Sequence, residues 1–156
     1  MINLSQKEKY LLQDQKTHED ICIKKYNDYA NKTQCPQLKQ IFSKNANQEQ
    51  QHLNTINGIL NGQVPNMNQQ QGQQNMAQNT MSQPAAAGPG MNQNDADLCT
   101  DILMTEKYVS NAYNTAIFEF KDTNIREALN HIQKEEQQHG EDVFNYMQSN
   151  GMYTAQ

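Results

Sequence analysis

The sequence predicts an all-α protein, a four-helix bundle made of two repeated helical hairpins joined by a long flexible crossover. Three observations predict it. Apolar residues recur at spacings of three and four through four segments of about 25 residues each. A lone Glu followed 30 positions later by Glu-Gln-Gln-His occurs twice, offset by 87 residues: Glu19 with Glu49 and His52, then Glu106 with Glu136 and His139. Between the two copies, residues 62–94 contain no charged side chain.

The first helix begins near residue 6, because Ser5-Gln6-Lys7-Glu8 spells a capping box. Its inward stripe is Leu11/Leu12, Gln15, Glu19, Cys22/Ile23, Tyr26 and Tyr29/Ala30. Asn31 to Cys35 form a turn, and Pro36 suits the first position of a second helix, where a missing N–H costs nothing. That helix carries Leu38, Ile41/Phe42, Asn45, Glu49, His52, Ile56 and Ile59/Leu60 inward, and Gly62 is placed to end it. A third helix, capped by Asn94 or Asp95, presents Leu98, Ile102, Glu106, Val109, Tyr113, Ala116/Ile117 and Phe120. Lys121 to Asn124 turn the chain, with Asp122 or Thr123 as cap. The fourth helix follows with Ile125, Ala128/Leu129, Ile132, Glu136, His139, Val143 and Tyr146/Met147, and Gly151 closes it. At the 87-residue offset Tyr26 also matches Tyr113, Asp14 matches Asp101, and Leu38, Ile56 and Leu60 match Ile125, Val143 and Met147. This reads as an internal duplication.

The expected organisation is one domain over residues 1–156, with hairpins at 5–62 and 95–151 and a linker at 63–94. The linker is rich in Gln, Asn, Gly and Met and contains Pro65, Pro84 and Pro89. Such a composition cannot bury enough apolar surface to offset its ordering entropy, and carries a tendency to polar self-association. Helices of about 26 residues are about 39 Å long, and 33 flexible residues span roughly 32 Å on average, so a crossover along the whole bundle is feasible.

Bulk properties exclude several functions. The net charge of −5 argues against nucleic acid and against an anionic membrane surface. No apolar run is long enough for membrane insertion, and the N-terminal residues do not read as a signal peptide. Three cysteines, Cys22, Cys35 and Cys99, are odd in number and lack a Cys-x-x-Cys, which fits a reducing compartment better than a disulfide framework. Cys22 reads as a small core hydrophobe.

The six repeated residues are predicted to meet. With the first turn centred on position 34, Glu19 lies 15 residues before it and Glu49 15 after. Antiparallel helices leaving one turn rise equally, at ~1.5 Å per residue, so the two carboxylates are level. His52 lies one turn from Glu49 on the same face. Glu106, Glu136 and His139 obey the same arithmetic about position 121. All four glutamates interrupt otherwise apolar stripes, with no Lys or Arg inward one turn either side. Buried carboxylates in one layer repel one another and cost several kcal/mol each unless protonated or neutralised. Two divalent ions would balance four carboxylates, with neutral imidazoles completing the coordination. Iron and manganese both suit such ligands. The alternative is a relic cluster that holds protons or water. Tyr26 and Tyr113 face the core two turns on, either as packing, as donors to ligating carboxylates, or as redox-active phenols. Asn45 or Gln15 could also support the ligands. His18 and His131 are expected to face solvent.

The pattern of Glu19, Glu49-x-x-His52, Glu106 and Glu136-x-x-His139 resembles the ferritin-like superfamily, which includes bacterioferritins, rubrerythrins and manganese catalases. Within it the second half looks most like the spore coat protein F family of endospore-forming bacteria. The segments that carry this are residues 101–107, 134–141 and 146–153. The resemblance implies a spore coat component made in the mother-cell cytoplasm, whose partners are other coat proteins or copies of itself. Coat cross-linking through Tyr, Gln, Lys or Cys would suit the composition. The chain lacks the Cys-x-x-Cys pairs of rubrerythrin and shows no fifth helix. Two readings follow: a structural coat protein with a stabilising or vestigial dimetal site, and a di-iron or di-manganese oxidase, peroxidase or catalase of the spore surface.

Overall fold

The computed structural model describes residues 2–65 and 92–153. Among them are four helices: α1 Gln6–Lys32, α2 Pro36–Leu60, α3 Gln93–Ile117 and α4 Thr123–Ser149. The starts of α1 and α3, and those of α2 and α4, are each separated by the same 87 positions as the Glu/His pattern. The fold is an all-α bundle of two hairpins, α1 with α2 and α3 with α4, as the periodicity predicts.

Local chemistry sets the helix ends. Ser5 caps α1: its hydroxyl accepts from the Glu8 N–H at 3.2 Å while the Ser5 N–H donates to Glu8 Oε2 at 2.7 Å. Pro36 opens α2. Gly62 and Gly151, at φ 82° and 68°, take the left-handed conformation that closes α2 and α4. Two expected boundaries are corrected. Asn92, rather than Asn94 or Asp95, caps α3, because its side chain accepts from the N–H groups of both Asn94 and Asp95. Most of the expected linker, residues 66–91, lies outside the described residues, and its last two expected members are already helical. The other correction is at the end of α3, which stops at Ile117. Phe120 reaches the core from the connection, whose carbonyls at Phe120 and Lys121 are gathered by the Arg126 guanidinium at 2.9 Å. Of the two candidate caps for α4, Asp122 is the one used.

The hairpins pack through α1 against α3 and α2 against α4. Both contacts are antiparallel. Near the end of α1, Lys25 and Tyr29 reach Asp101 early in α3, at 2.8 and 2.7 Å. At the start of α1, Glu8 Oε1 accepts from the Lys121 N–H beyond the end of α3. Lys44 early in α2 pairs with Asp142 late in α4. Consequently α2 ends beside the start of α1, whereas α3 starts at the opposite end of the bundle. The chain between them joins opposite ends, a separation of about 38 Å for a 25-residue helix.

The interior is two apolar clusters. One is built on Leu12, Ile56, Val109, Ile125, Leu129 and Ile132, the other on Leu38, Phe42, Ile102, Val143, Tyr146 and Met147. Each buried side chain of this size contributes about 1.5–3 kcal/mol. Cys22 packs in the first cluster as predicted, and burial pushes its thiol far above the usual range. Cys35 and Cys99 are likewise free thiols.

Candidate metal centre

Between the two clusters the stripes carry a polar layer. Glu19 comes from α1, Glu49 and His52 from α2, Glu106 from α3, and Glu136 and His139 from α4, and all six side chains are buried. Two sets of ligand atoms converge. In one, Glu19, Glu49, His52 and Glu136 each offer an atom within 4.8 Å of the others; in the second, Glu49, Glu106, Glu136 and His139 do so. Glu49 and Glu136 belong to both sets. The equal-height arithmetic about the two turns thus brings all six together.

Both imidazoles are posed alike. His52 Nδ1 points inward, 3.0 Å from Glu49 Oε2, 3.0 Å from Glu136 Oε1 and 3.7 Å from Glu19 Oε2. His139 Nδ1 lies 3.2 Å from Glu49 Oε1, 3.5 Å from Glu106 Oε1 and 3.7 Å from Glu136 Oε2. The rings stack with centroids 5.7 Å apart. Each Nε2 points away from the centre, to Glu135 Oε2 at 2.6 Å from His52 and to Gln48 Oε1 at 3.1 Å from His139.

The two buried tyrosines are donors to the carboxylates, and they cross between hairpins. Tyr26 on α1 donates to Glu106 on α3, and Tyr113 on α3 donates to Glu19 on α1. Asn45 Nδ2 in turn donates to the Tyr26 hydroxyl at 3.4 Å. Gln15 is buried but engages His18 at 3.2 Å.

Sequence reasoning placed two half-buried histidines in solvent and missed one acid. His131 is half-buried. Its side chain is 18 % exposed, and its Nε2 lies 3.3 Å from Glu135 Oε1. Glu135 is one position off the inward stripe, yet it is buried and holds His52. The available signal was the residue preceding each Glu-Gln-Gln-His, which is Gln48 in one copy and Glu135 in the other. His18, expected outside, is half-buried, edge-on to Tyr108.

Charge in this layer is arranged around protons. Burial raises Glu19 well above the carboxylate range, and the charges of Glu136 and Glu49 add to it. Burial and the Glu136 charge carry Glu106 up to about 8. For Glu49 burial works in the same direction, but hydrogen bonds from His139 and His52 outweigh it and leave the carboxyl lowered. For Glu136 burial and the Glu49 charge work upward, but the neighbouring Glu106, His139 and His52 outweigh them and leave it lowered. Burial disfavours the imidazolium form of His52 and His139, yet their carboxylate partners raise both well above the ordinary value. Burial and partners thus favour the protonated forms of Glu19, Glu106, His52 and His139 in the metal-free layer.

The residues could hold a metal ion. Glu19 Oε2, Glu106 Oε2 and Glu136 Oε2 are buried oxygens without a hydrogen-bond partner, a cost of about 1–3 kcal/mol or more each that a cation would remove. Divalent cations there would offset the charge of the four inward glutamates.

A groove of about 920 Å³ between α3 and α4 reaches this layer, with Glu106 and Glu136 among its lining residues. Gly140 contributes to its opening: a Cβ there would meet only Leu103 Cδ1, at 3.7 Å. The position 87 residues earlier is Leu53, which is buried.

The fold and the layer define a helical bundle with an interior carboxylate/imidazole cluster. Residues 94–156 match the Coat F domain family. The match falls on the second hairpin, where the resemblance to the spore coat protein F family lay, and it supports a spore coat protein. No curated protein and no solved structure shows a significant match to the chain. No helix among the described residues is long and apolar enough to cross a membrane.

Proposed function

We propose that the chain is a spore coat protein whose single ferritin-like domain, residues 1–156, holds two divalent cations, iron or manganese, in the layer between its apolar clusters. The observation that carries this is the pair of ligand sets sharing Glu49 and Glu136, with unpartnered carboxylate oxygens buried among them. Glu19 and His52 would bind one ion, Glu106 and His139 the other, and Glu49 and Glu136 would bridge. Tyr26 and Tyr113 would orient the terminal carboxylates through their hydroxyls. The bundle would be synthesised in the mother-cell cytoplasm and assemble with other coat proteins or with copies of itself.

The groove to Glu106 and Glu136 favours a second reading, an oxidoreductase of the spore surface. Bound iron or manganese would supply one-electron and peroxide chemistry there. Elemental analysis of protein purified without chelator, followed by a peroxide-consumption assay, separates the readings. Iron or manganese near two per chain without turnover supports the scaffold. Turnover that disappears in Glu49→Ala supports the enzyme, and absence of bound metal removes both.

The groove also predicts how the site fills. Gly140→Leu, which copies Leu53 of the other half, should slow Mn²⁺ uptake and chelator-driven release about tenfold or more while leaving equilibrium affinity within a factor of about three, because a side chain in the groove alters access and not the ligands. Stopped-flow exchange measures both rates. Unchanged rates would place the entry elsewhere.

A further inference from the structure

We propose that the two cation positions are unequal, with the one at His52 the tighter, and that Glu135 is the positioning residue that makes them so. This rests on the dimetal reading and goes beyond it.

The ligands themselves are matched in type, one terminal carboxylate and one imidazole at each position plus two shared carboxylates. The asymmetry lies one bond further out. Both imidazoles face the centre through Nδ1, so the Nε2–H must be accepted from outside. The acceptor of His52 is a carboxylate, Glu135 Oε2 at 2.6 Å; that of His139 is a carboxamide, Gln48 Oε1 at 3.1 Å. These acceptors occupy corresponding places, 87 positions apart. A buried carboxylate on Nε2–H places a full negative charge across the ring from the ligating nitrogen. That increases the electron density Nδ1 can give to a cation, and it holds the ring more firmly than a neutral amide does.

Glu135 is itself fixed. Its second oxygen faces His131 Nε2 at 3.3 Å. The corresponding position in the first half is Lys44, which is committed to Asp142 at 2.8 Å. Only the His52 side therefore carries the three-member chain His131, Glu135, His52. The extra negative charge also lies nearer one position than the other, so the first dication to arrive is drawn to the set formed by Glu19, Glu49, His52 and Glu136. Loss of such an outer carboxylate partner weakens metal affinity by about 10–100-fold.

The test is a calorimetric titration of chelator-stripped full-length protein with Mn²⁺, with Co²⁺ absorbance as a second signal. Wild type should bind two ions in resolved steps, the first about 10–100-fold tighter. Glu135→Gln should weaken the first step until the two merge, and Gln48→Glu should tighten the second toward the first. Glu19→Gln should remove the tight step and Glu106→Gln the weak one. The Gln48→Glu arm keeps the test decisive if Glu135→Gln folds poorly. Two equal steps in wild type, or a step ratio unmoved by either exchange at residues 48 and 135, would overturn the proposal while leaving two bound ions in place. A wild-type protein that binds no ion would overturn the dimetal reading and this proposal with it.

Discussion

Glu136→Gln should lose both cations at once and, with Glu49→Gln, be among the most damaging single changes in the layer. Glu136 belongs to both ligand sets, and its oxygens lie 3.0 Å from His52 Nδ1 and 3.7 Å from His139 Nδ1. Without metal, the amide leaves two buried imidazolium groups short of an anion. Breaking a buried ion pair from one side costs about 3–5 kcal/mol, or roughly 6–20 °C in Tm for a chain of this size. With metal, the variant also forgoes the ligand-linked gain, about 2.7 kcal/mol at a free concentration 100 times Kd. Glu106→Gln should behave differently. Its carboxyl holds a proton when metal is absent, and Gln is close in shape to a protonated Glu, so metal-free Tm should move by less than about 2 °C. Only one ion should be lost. Thermal melts with and without Mn²⁺ separate the cases; a Glu136→Gln protein that keeps the full metal-dependent rise would refute the bridging role.

The second large effect is an opposite pH response of metal-free and metal-loaded protein. Glu19 and Glu106 are raised in the folded state, Glu106 to about 8 against an ordinary 4.5. A raised group stabilises the fold fully below its unfolded value and loses that contribution as pH climbs through the folded value. His52 and His139, raised above 6.5, lose theirs in the same direction. Glu49, Glu135 and Glu136 are lowered, so their contribution is present above 4.5 and lost only as acid falls through their folded values. Metal-free protein should therefore be most stable near pH 4.5 and should weaken as pH rises from there toward and beyond 8. Metal displaces the same protons, so its stabilisation should grow over that interval. Chelator should lower Tm little at pH 5 and most at pH 8. A metal-free Tm that rises between pH 6.5 and 9, or a chelator effect larger at pH 5, would contradict this reading.

Much of the layer was legible because helix geometry is nearly one-dimensional. Glu19 and Glu49 are equidistant from one turn, and that alone sets them level. Apolar spacing placed Tyr26 and Tyr113 inward, but not their partners. Each donates to the other hairpin's glutamate, and which helix lies against α1 is decided by packing between halves, which spacing within a half does not encode. Glu135 was overlooked for a related reason. It sits at the edge of the stripe of α4, where His52 from α2 comes against it. His131 lies one helical turn before Glu135 and meets its other oxygen. At the start of α3 the local rule was right and the candidate wrong: Asn92, Asn94 and Asp95 are all capping residues, and the first of them took the place. The early end of α3 follows from the capture of the next carbonyls by Arg126, six residues beyond Phe120, a contact with no periodic signature.

The measurement that tests the central claim most directly is a crystal structure of the Mn²⁺-loaded protein with anomalous data collected at the manganese edge. Two peaks about 3.5–4 Å apart are expected, one enclosed by Glu19, Glu49, His52 and Glu136 and the other by Glu49, Glu106, Glu136 and His139. A map with no peak in that layer, its carboxylates still bonded to one another and to the two imidazoles, would contradict it.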